Sequence, residues 1–242
     1  MMTNELKEGF IESDGSVLHY NSYGQGIPLI MLHGSMQDAS YFDKQVIFFE
    51  NKFRVITIDS PGHGKSTFSI KRLSIEDMAD HIVHVLKELN IDHFILLGFS
   101  DGANIALKIA QKIPERFLAL VLIGANLSPE GLKAYILIPI KIAYAVLGLL
   151  RFVPLLDRVA QRLSLVVNDP KFDKIMVKEI TVQTLLLAGE YDFIKESHLR
   201  EIENIIPNAE LVIIKGSGHL LPTEKPEEIN QLILEFINRI IS

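Results

Sequence analysis

Short apolar runs alternate with longer amphipathic stretches along this chain, the pattern of strand–helix units on a mostly parallel sheet. Eight runs predict strands, at 9–11, 17–23, 28–32, 54–58, 94–97, 119–123, 184–188 and 210–214. Runs such as Ile30-Met31-Leu32 and Ile95-Leu96-Leu97 show no polar alternation, which suits strands covered on both faces. Helical spacing is firmest in three segments. Over 74–89 the apolar positions are Ile75, Met78, Ala79, Ile82, Val85, Leu86 and Leu89, with Ser74 as N-cap and Asp77 at the capping-box position. The same period recurs over 102–113, which ends before Pro114, and over 227–241, opened by Pro226.

One region breaks the alternation. From about 126 to 179 no clear strand is present, so a helical insertion between two strands is expected there. Within it, fourteen of the seventeen residues at 134–150 are apolar. A membrane-spanning helix needs ~20 apolar residues, and this run carries Lys141 and a helix-interrupting Pro139. An apolar lid or a buried helix is the expectation, with contact to a membrane surface a weaker alternative.

Length and composition narrow the classes. A chain of 242 residues with 48% apolar and 22% charged residues builds one large domain or two small ones and is not disordered. A formal charge of −6 argues against a nucleic-acid binder, which needs a basic surface. The charge is uneven: 126–179 holds eight Lys+Arg against five Asp+Glu, so the rest of the chain is the more acidic part. The basic residues Lys133, Lys141, Arg151, Arg158 and Arg162 are read first as solvated helix faces, with attraction of an anionic substrate group or a lipid surface as the alternative. The absence of Cys excludes disulfides, a thiolate nucleophile and a Cys-ligated metal. Residues 1–9 lack the basic-then-apolar pattern of a secretory signal, so a cytoplasmic protein is expected.

The sharpest chemical feature is Gly98-Phe99-Ser100-Asp101-Gly102, which joins a predicted strand to a predicted helix. Such a turn forces the serine into a strained conformation that lifts its hydroxyl above the sheet, and glycines flank it because side chains would collide. Ser100 is therefore the candidate nucleophile. It needs a base. Of the eight histidines, His81 and His84 fall on the 74–89 helix as surface or flanking residues, His93 precedes a strand, and His19 and His198 lack a motif. His219, in Gly216-Ser217-Gly218-His219, follows the last strand, at the sheet edge where α/β proteins bind ligands. An acid to orient it is available in Gly189-Glu190-Tyr191-Asp192; Asp192 is the candidate and Glu190 its local rival.

The order Ser100, Asp192, His219, with the elbow at 98–102, resembles the α/β-hydrolase superfamily over nearly the whole chain. Two more segments carry the likeness: His33-Gly34-Ser35 resembles the family's oxyanion loop, and 59–66 (DSPGHGKS) its D-x-x-G-x-G-x-S segment. The resemblance implies one domain over 1–242, a mostly parallel eight-stranded sheet with helices on both faces. It further implies a core of 1–125 and 180–242 and a short helical cap at 126–179, between strands 6 and 7. It implies that the backbone N–H groups of Ser35 and Asp101 form the oxyanion hole. Gly98, Gly102, Gly34 and His33 then support the loops, and His63 organises its own glycine-rich turn. The Asp101 carboxylate is read as complementing the helix N-terminus, worth ~0.3–1 kcal/mol.

A serine at the elbow implies acyl chemistry, by default hydrolysis of a small-to-medium apolar ester with no cofactor and no metal; no metal-binding motif is present in the sequence. The same triad could cleave a C–C bond, a thioester or a lactone, or perform perhydrolysis. A non-catalytic sensor retaining the fold is the alternative from another class. The expected partner is a small molecule, on a monomer or homodimer.

Overall fold

The computed structural model describes residues 6–69, 72–150 and 152–241. In chain order it runs β1 (Lys7–Ser13), β2 (Ser16–Tyr23), β3 (Pro28–Leu32), α1 (Asp43–Phe49), β4 (Arg54–Ile58), α2 (Ile75–Glu88), β5 (Phe94–Phe99), α3 (Asp101–Lys112) and β6 (Phe117–Ile123). Next come α4 (Ala134–Gly148), α5 (Pro154–Asn168), α6 (Lys174–Lys178), β7 (Thr184–Gly189), α7 (Glu196–Ile205), β8 (Ala209–Ile214), α8 (Leu221–Glu224) and α9 (Pro226–Ile241). The eight strands form one sheet in the order β1-β2-β4-β3-β5-β6-β7-β8. β1, β2 and β4 pair antiparallel and every pairing from β4 through β8 is parallel. All eight expected strands are present, and β1, β2, β5, β6, β7 and β8 run one to four residues longer than the apolar runs alone.

Successive strand residues point to opposite faces, and this parity sorts the apolar runs into two cores. On one face Ile30, Leu32, Ile56, Leu96, Leu120 and Leu186 meet α2 and α3. On the other Leu29, Met31, Val55, Ile95, Leu97 and Val121 meet α1 and α9. A continuous apolar run is thus the correct signal for a strand buried on both sides, and truncating one such leucine to alanine costs about 2–5 kcal/mol. The helix α2 starts as the capping box requires, with the Ser74 hydroxyl accepting from the Asp77 N–H at 3.1 Å.

Three helices, α4 to α6, fill the stretch between β6 and β7. Two expectations about it are corrected. Pro139 lies inside α4 without ending it. And α4 is not a buried helix: Leu137 alone of its described residues is buried, whereas Tyr135, Ile138, Ile142 and Val146 are each more than half exposed. Among its basic residues, Arg162 is not a solvated ornament, because its guanidinium donates to the Gly62 carbonyl at 2.5 Å and ties α5 to the loop after β4. Arg151 lies outside the described residues. Among the described residues no helix is long and apolar enough to cross a membrane.

Three helices outside that stretch were not visible as apolar periodicity: the short α1 and α8, and α7, whose residues are mostly polar with Leu199 and Ile202 buried. His81 is another correction. It is buried rather than superficial, since α2 packs on the edge strand β1 and the ring hydrogen-bonds the Ser13 hydroxyl at 2.8 Å.

Candidate active site

The elbow is built by close packing. Ser100 has φ 53° and ψ −119°, a backbone conformation that a side-chain-bearing residue adopts only under constraint. The constraint is visible on both sides. A Cβ on Gly98 would sit 2.3 Å from the Gly102 carbonyl oxygen, and one on Gly102 would sit 2.0 Å from the Leu32 carbonyl oxygen. The Ser100 N–H donates to the Ile123 carbonyl of β6 at 2.8 Å, which pins the turn to the sheet. α3 begins at Asp101, so its first N–H groups have no intrahelical acceptor and face outward.

Asp192 and His219 are brought together from the ends of β7 and β8. The His219 Nδ1 lies 2.8 Å from the Asp192 Oδ1, which also accepts the Ile194 N–H at 2.9 Å. Both residues are buried. Because Asp192 takes the proton on Nδ1, the neutral ring presents Nε2 as a lone pair, and that atom has no hydrogen-bond partner among the described residues. Phe193 packs against the ring with centroids 3.7 Å apart, and Phe99 lies at 4.9 Å. The rival carboxylate, Glu190, does not reach the histidine and instead accepts the Gly216 N–H at 2.9 Å.

The loop after β3 is held from below. His33 is buried, donates from Nδ1 to the Gly34 carbonyl at 2.8 Å and accepts the Ser60 N–H on Nε2 at 3.0 Å. Burial pushes its pKa below the usual histidine value. The Gln37 amide oxygen accepts the Gly34 N–H at 3.0 Å, a supporting role for which the sequence carried no motif. Met36, next to Ser35, has φ 62° and is a second strained residue at this edge. His63, 5.4 Å from His33 between ring centroids, donates to the Pro61 carbonyl at 3.1 Å.

Ser35, Ser100, Asp101 and His219 line one cavity of 190 Å³, roofed by Leu132, Ile136 and Ile140 and by Val166. A larger groove of 910 Å³ runs between α6 and α7, away from these residues. Among the described residues no cluster of His, Asp and Glu is arranged to hold a metal ion. The Asp101 side chain corrects its expectation. It is buried, its Oδ2 has no hydrogen-bond partner, and burial raises its pKa to about 6 against the opposing effects of the Ser35 hydroxyl and His219. Burial thus disfavours the charged form of a carboxylate that the sequence placed at the helix start as a favourable charge.

A strand order with one antiparallel edge, the serine elbow after β5 and the Asp–His pair after β7 and β8 are joined by a sequence match. Residues 27–141 fit the alpha/beta hydrolase fold family. The chain belongs to the α/β-hydrolase superfamily. Among its relatives is the 2-hydroxy-6-oxononadienedioate/2-hydroxy-6-oxononatrienedioate hydrolase of Burkholderia vietnamiensis, 29% identical, with the match covering 95% of this chain and 94% of that one. A solved N-acyl homoserine lactone degrading enzyme superposes with a TM-score of 0.79 at 26% identity, covering 94% of this chain and all of the other. The carboxylesterase CesB of Bacillus subtilis superposes with a TM-score of 0.79 at 22% identity, covering 97% and 92%. As a member of this superfamily with esterase and hydrolase relatives, the protein is an enzyme with hydrolase activity.

Proposed function

We propose that this α/β-hydrolase cleaves a small carboxylic ester through an acyl-enzyme on Ser100, with Asp192 and His219 completing a catalytic triad and α4 to α6 acting as the cap. The observation that carries the reading is the buried Asp192–His219 pair, whose unpartnered Nε2 shares a 190 Å³ cavity with the strained Ser100. That volume is about six waters' worth of liquid, which sets the substrate at the small end of the range.

The Ser100 Oγ attacks the ester carbonyl while His219 Nε2 takes its proton, and Asp192 stabilises the imidazolium on the other side of the ring. The carbonyl oxygen becomes an oxyanion held by the backbone N–H groups of Ser35 and Asp101; removing one such donor in comparable sites costs ~10²–10³ in turnover. Collapse expels the alcohol, which leaves with the proton from His219. Water then attacks the acyl-enzyme with His219 as base, and the acid departs as Ser100 recovers its proton. No hydrogen bond reaches His219 Nε2 among the described residues, and such catalytic contacts tighten in the Michaelis complex.

Active-site labelling with a fluorophosphonate tests the reading. Wild-type protein should be labelled and turn over p-nitrophenyl acetate and butyrate, and Ser100→Ala should do neither. Equal labelling of Ser100→Ala would remove the nucleophile, and an unlabelled, inactive wild-type protein would return the fold to a binding role.

A further inference from the structure

The cavity beside Ser100 has an unusual charge balance for a site reached by apolar walls. Its lining includes two carboxylates, Asp101 and Asp169, and no lysine or arginine. Burial raises the pKa of Asp169, and burial, with a smaller contribution from the charge of Asp169, raises that of Asp101. Arg72, Lys171 and Lys108 act on Asp169 but do not line the cavity, and Lys108 is paired with Glu76 at 3.2 Å. No lysine or arginine acts on Asp101; the Ser35 hydroxyl and His219 are what oppose its rise. Asp101 is more than nine-tenths buried, and its Oδ2 forms no hydrogen bond.

A buried carboxylate with no cationic side chain beside it is costly, and a perturbed one lining a cleft is where a ligand's opposite charge finds a place. Its position makes the cost larger, since consecutive Cα atoms are ~3.8 Å apart and Asp101 directly follows the nucleophile. An ionised carboxylate there opposes the oxyanion that forms on the substrate carbonyl. A cation bound to it removes that opposition.

Resting on the hydrolase reading above, we propose that the cavity selects small esters carrying a protonated amine, seated on Asp101 with Asp169 behind it, and turns away esters carrying a carboxylate. The walls formed by Leu132, Ile136 and Val166 then take the carbon skeleton. The preference separates this chain from its relative named as a dioate hydrolase, whose substrate is by that name a dicarboxylate. Because the ammonium acts on both binding and the oxyanion, the gain is expected in kcat as well as in KM.

The test compares matched methyl esters on the wild-type enzyme. The pairs are alanine against 2-methylpropanoate and 4-aminobutanoate against pentanoate, with monomethyl glutarate as the carboxylate. At least one amine should exceed its neutral partner by about 10–100-fold in kcat/KM, the range of a charge-assisted contact, and the glutarate should fall below pentanoate. In Asp101→Asn the amine-to-neutral ratio should collapse toward one, whatever happens to the absolute rates. Neutral esters turned over with no amine preference would overturn the subsite and leave the hydrolase standing. The reverse is separable by calorimetry on Ser100→Ala: methyl 4-aminobutanoate binding more tightly than methyl pentanoate, alongside a wild-type enzyme that hydrolyses neither, would keep the subsite and remove the reaction. A structural readout closes the set. Asp101→Asn should raise the Tm at pH 8 by about 5 °C, whereas a fall would mean that the carboxylate already has its partner and the proposal is wrong.

Discussion

Two histidines in this protein are held by a buried aspartate in the same way, and only one of them is free to react. His219 and His19 each place Nδ1 2.8 Å from a carboxylate oxygen, of Asp192 and Asp59 respectively. All four residues are buried. The difference lies on the far side of each ring. The Nε2 of His19 is tied to Glu8 at 2.8 Å, and Glu8 is itself paired with Lys65 at 2.6 Å. The Nε2 of His219 is unpartnered and its ring lines the cavity beside Ser100. An Asp–His pair is therefore not a sign of catalysis; an Asp–His pair with one nitrogen left over is. The Asp59 pair serves the fold instead. Its carboxylate also accepts the N–H groups of Ala39 and Lys65, at 2.7 and 2.8 Å, and so fastens the loop after β3 to the loop after β4.

Exchanging the fates of the two histidines is the strongest way to break this comparison. His219→Ala should lower kcat for p-nitrophenyl butyrate by about 10⁴–10⁶ in the folded fraction, as loss of the base does in triad enzymes, whatever it does to Tm. His19→Ala should act on stability instead. It leaves a buried carboxylate short of a donor, at about 2–3 kcal/mol, which reads as a fall in Tm of roughly 5–10 °C with turnover largely kept in the folded fraction. If both variants lose turnover equally at full stability, the distinction drawn from Nε2 fails. Asp192→Asn comes next. It keeps the shape of the pair but offers Nδ1 an amide, so the ring can take the wrong tautomer, and kcat should fall by about 10⁴.

How much of this was open to sequence reading depends on whether the controlling signal is local. The elbow was legible because Gly98 and Gly102 are demanded by contacts within five residues of Ser100 and with one neighbouring strand. The strands were legible because burial on both faces leaves no polar position in runs such as Leu96–Leu97. What was hidden is set by distant packing. The periodicity of α2 put His81 on its flank, yet β1 arrives from more than sixty residues away to bury it. The choice of Asp192 over Glu190 needed a direction, which the turn after β7 supplies and the spacing alone does not. Asp101 was read from its helix position, where a carboxylate is welcome; burial, with a smaller contribution from Asp169 between β6 and β7, raises its pKa instead. Pro139 was read as a break because proline usually ends a helix, but α4 continues through it.

A subtler way to sharpen the comparison acts on His219 without touching it. Gly124, at the end of β6, has φ 63°, and a Cβ there would lie 2.6 Å from His219 Cε1 and 2.9 Å from Nδ1. His219 cannot yield easily, because Asp192 and Phe193 hold its other sides. Gly124→Ala should therefore displace the ring from its productive position and lower kcat by about 10–10²-fold, more than its Tm loss would explain. An unchanged kcat would show that the ring position is not what limits turnover.

The smallest effect concerns a third kind of buried histidine, one with no carboxylate at all. His63 is held at about 4, well below the ordinary histidine value, by burial and by the neighbouring His33. Its folded form thus stays neutral in a window, roughly pH 6.5 to 4, where the unfolded chain has already taken up the proton. The unfolded state binds more protons there, so stability rises with pH across the window and is lost as pH falls through it. Asp101 works against this trend, since its folded form holds a proton up to about pH 6. His33, lowered in the same direction as His63, adds to it. Denaturant unfolding at pH 6 and pH 5 should show wild-type protein weaker at the lower pH. His63→Asn, which keeps a donor for the Pro61 carbonyl, should flatten the slope by up to about 1.4 kcal/mol per pH unit. The same slope in both proteins would mean that His63 accepts its proton without unfolding the loop, and that burial alone, unlike the Asp59 and Asp192 pairings, does not set a histidine's charge in this fold.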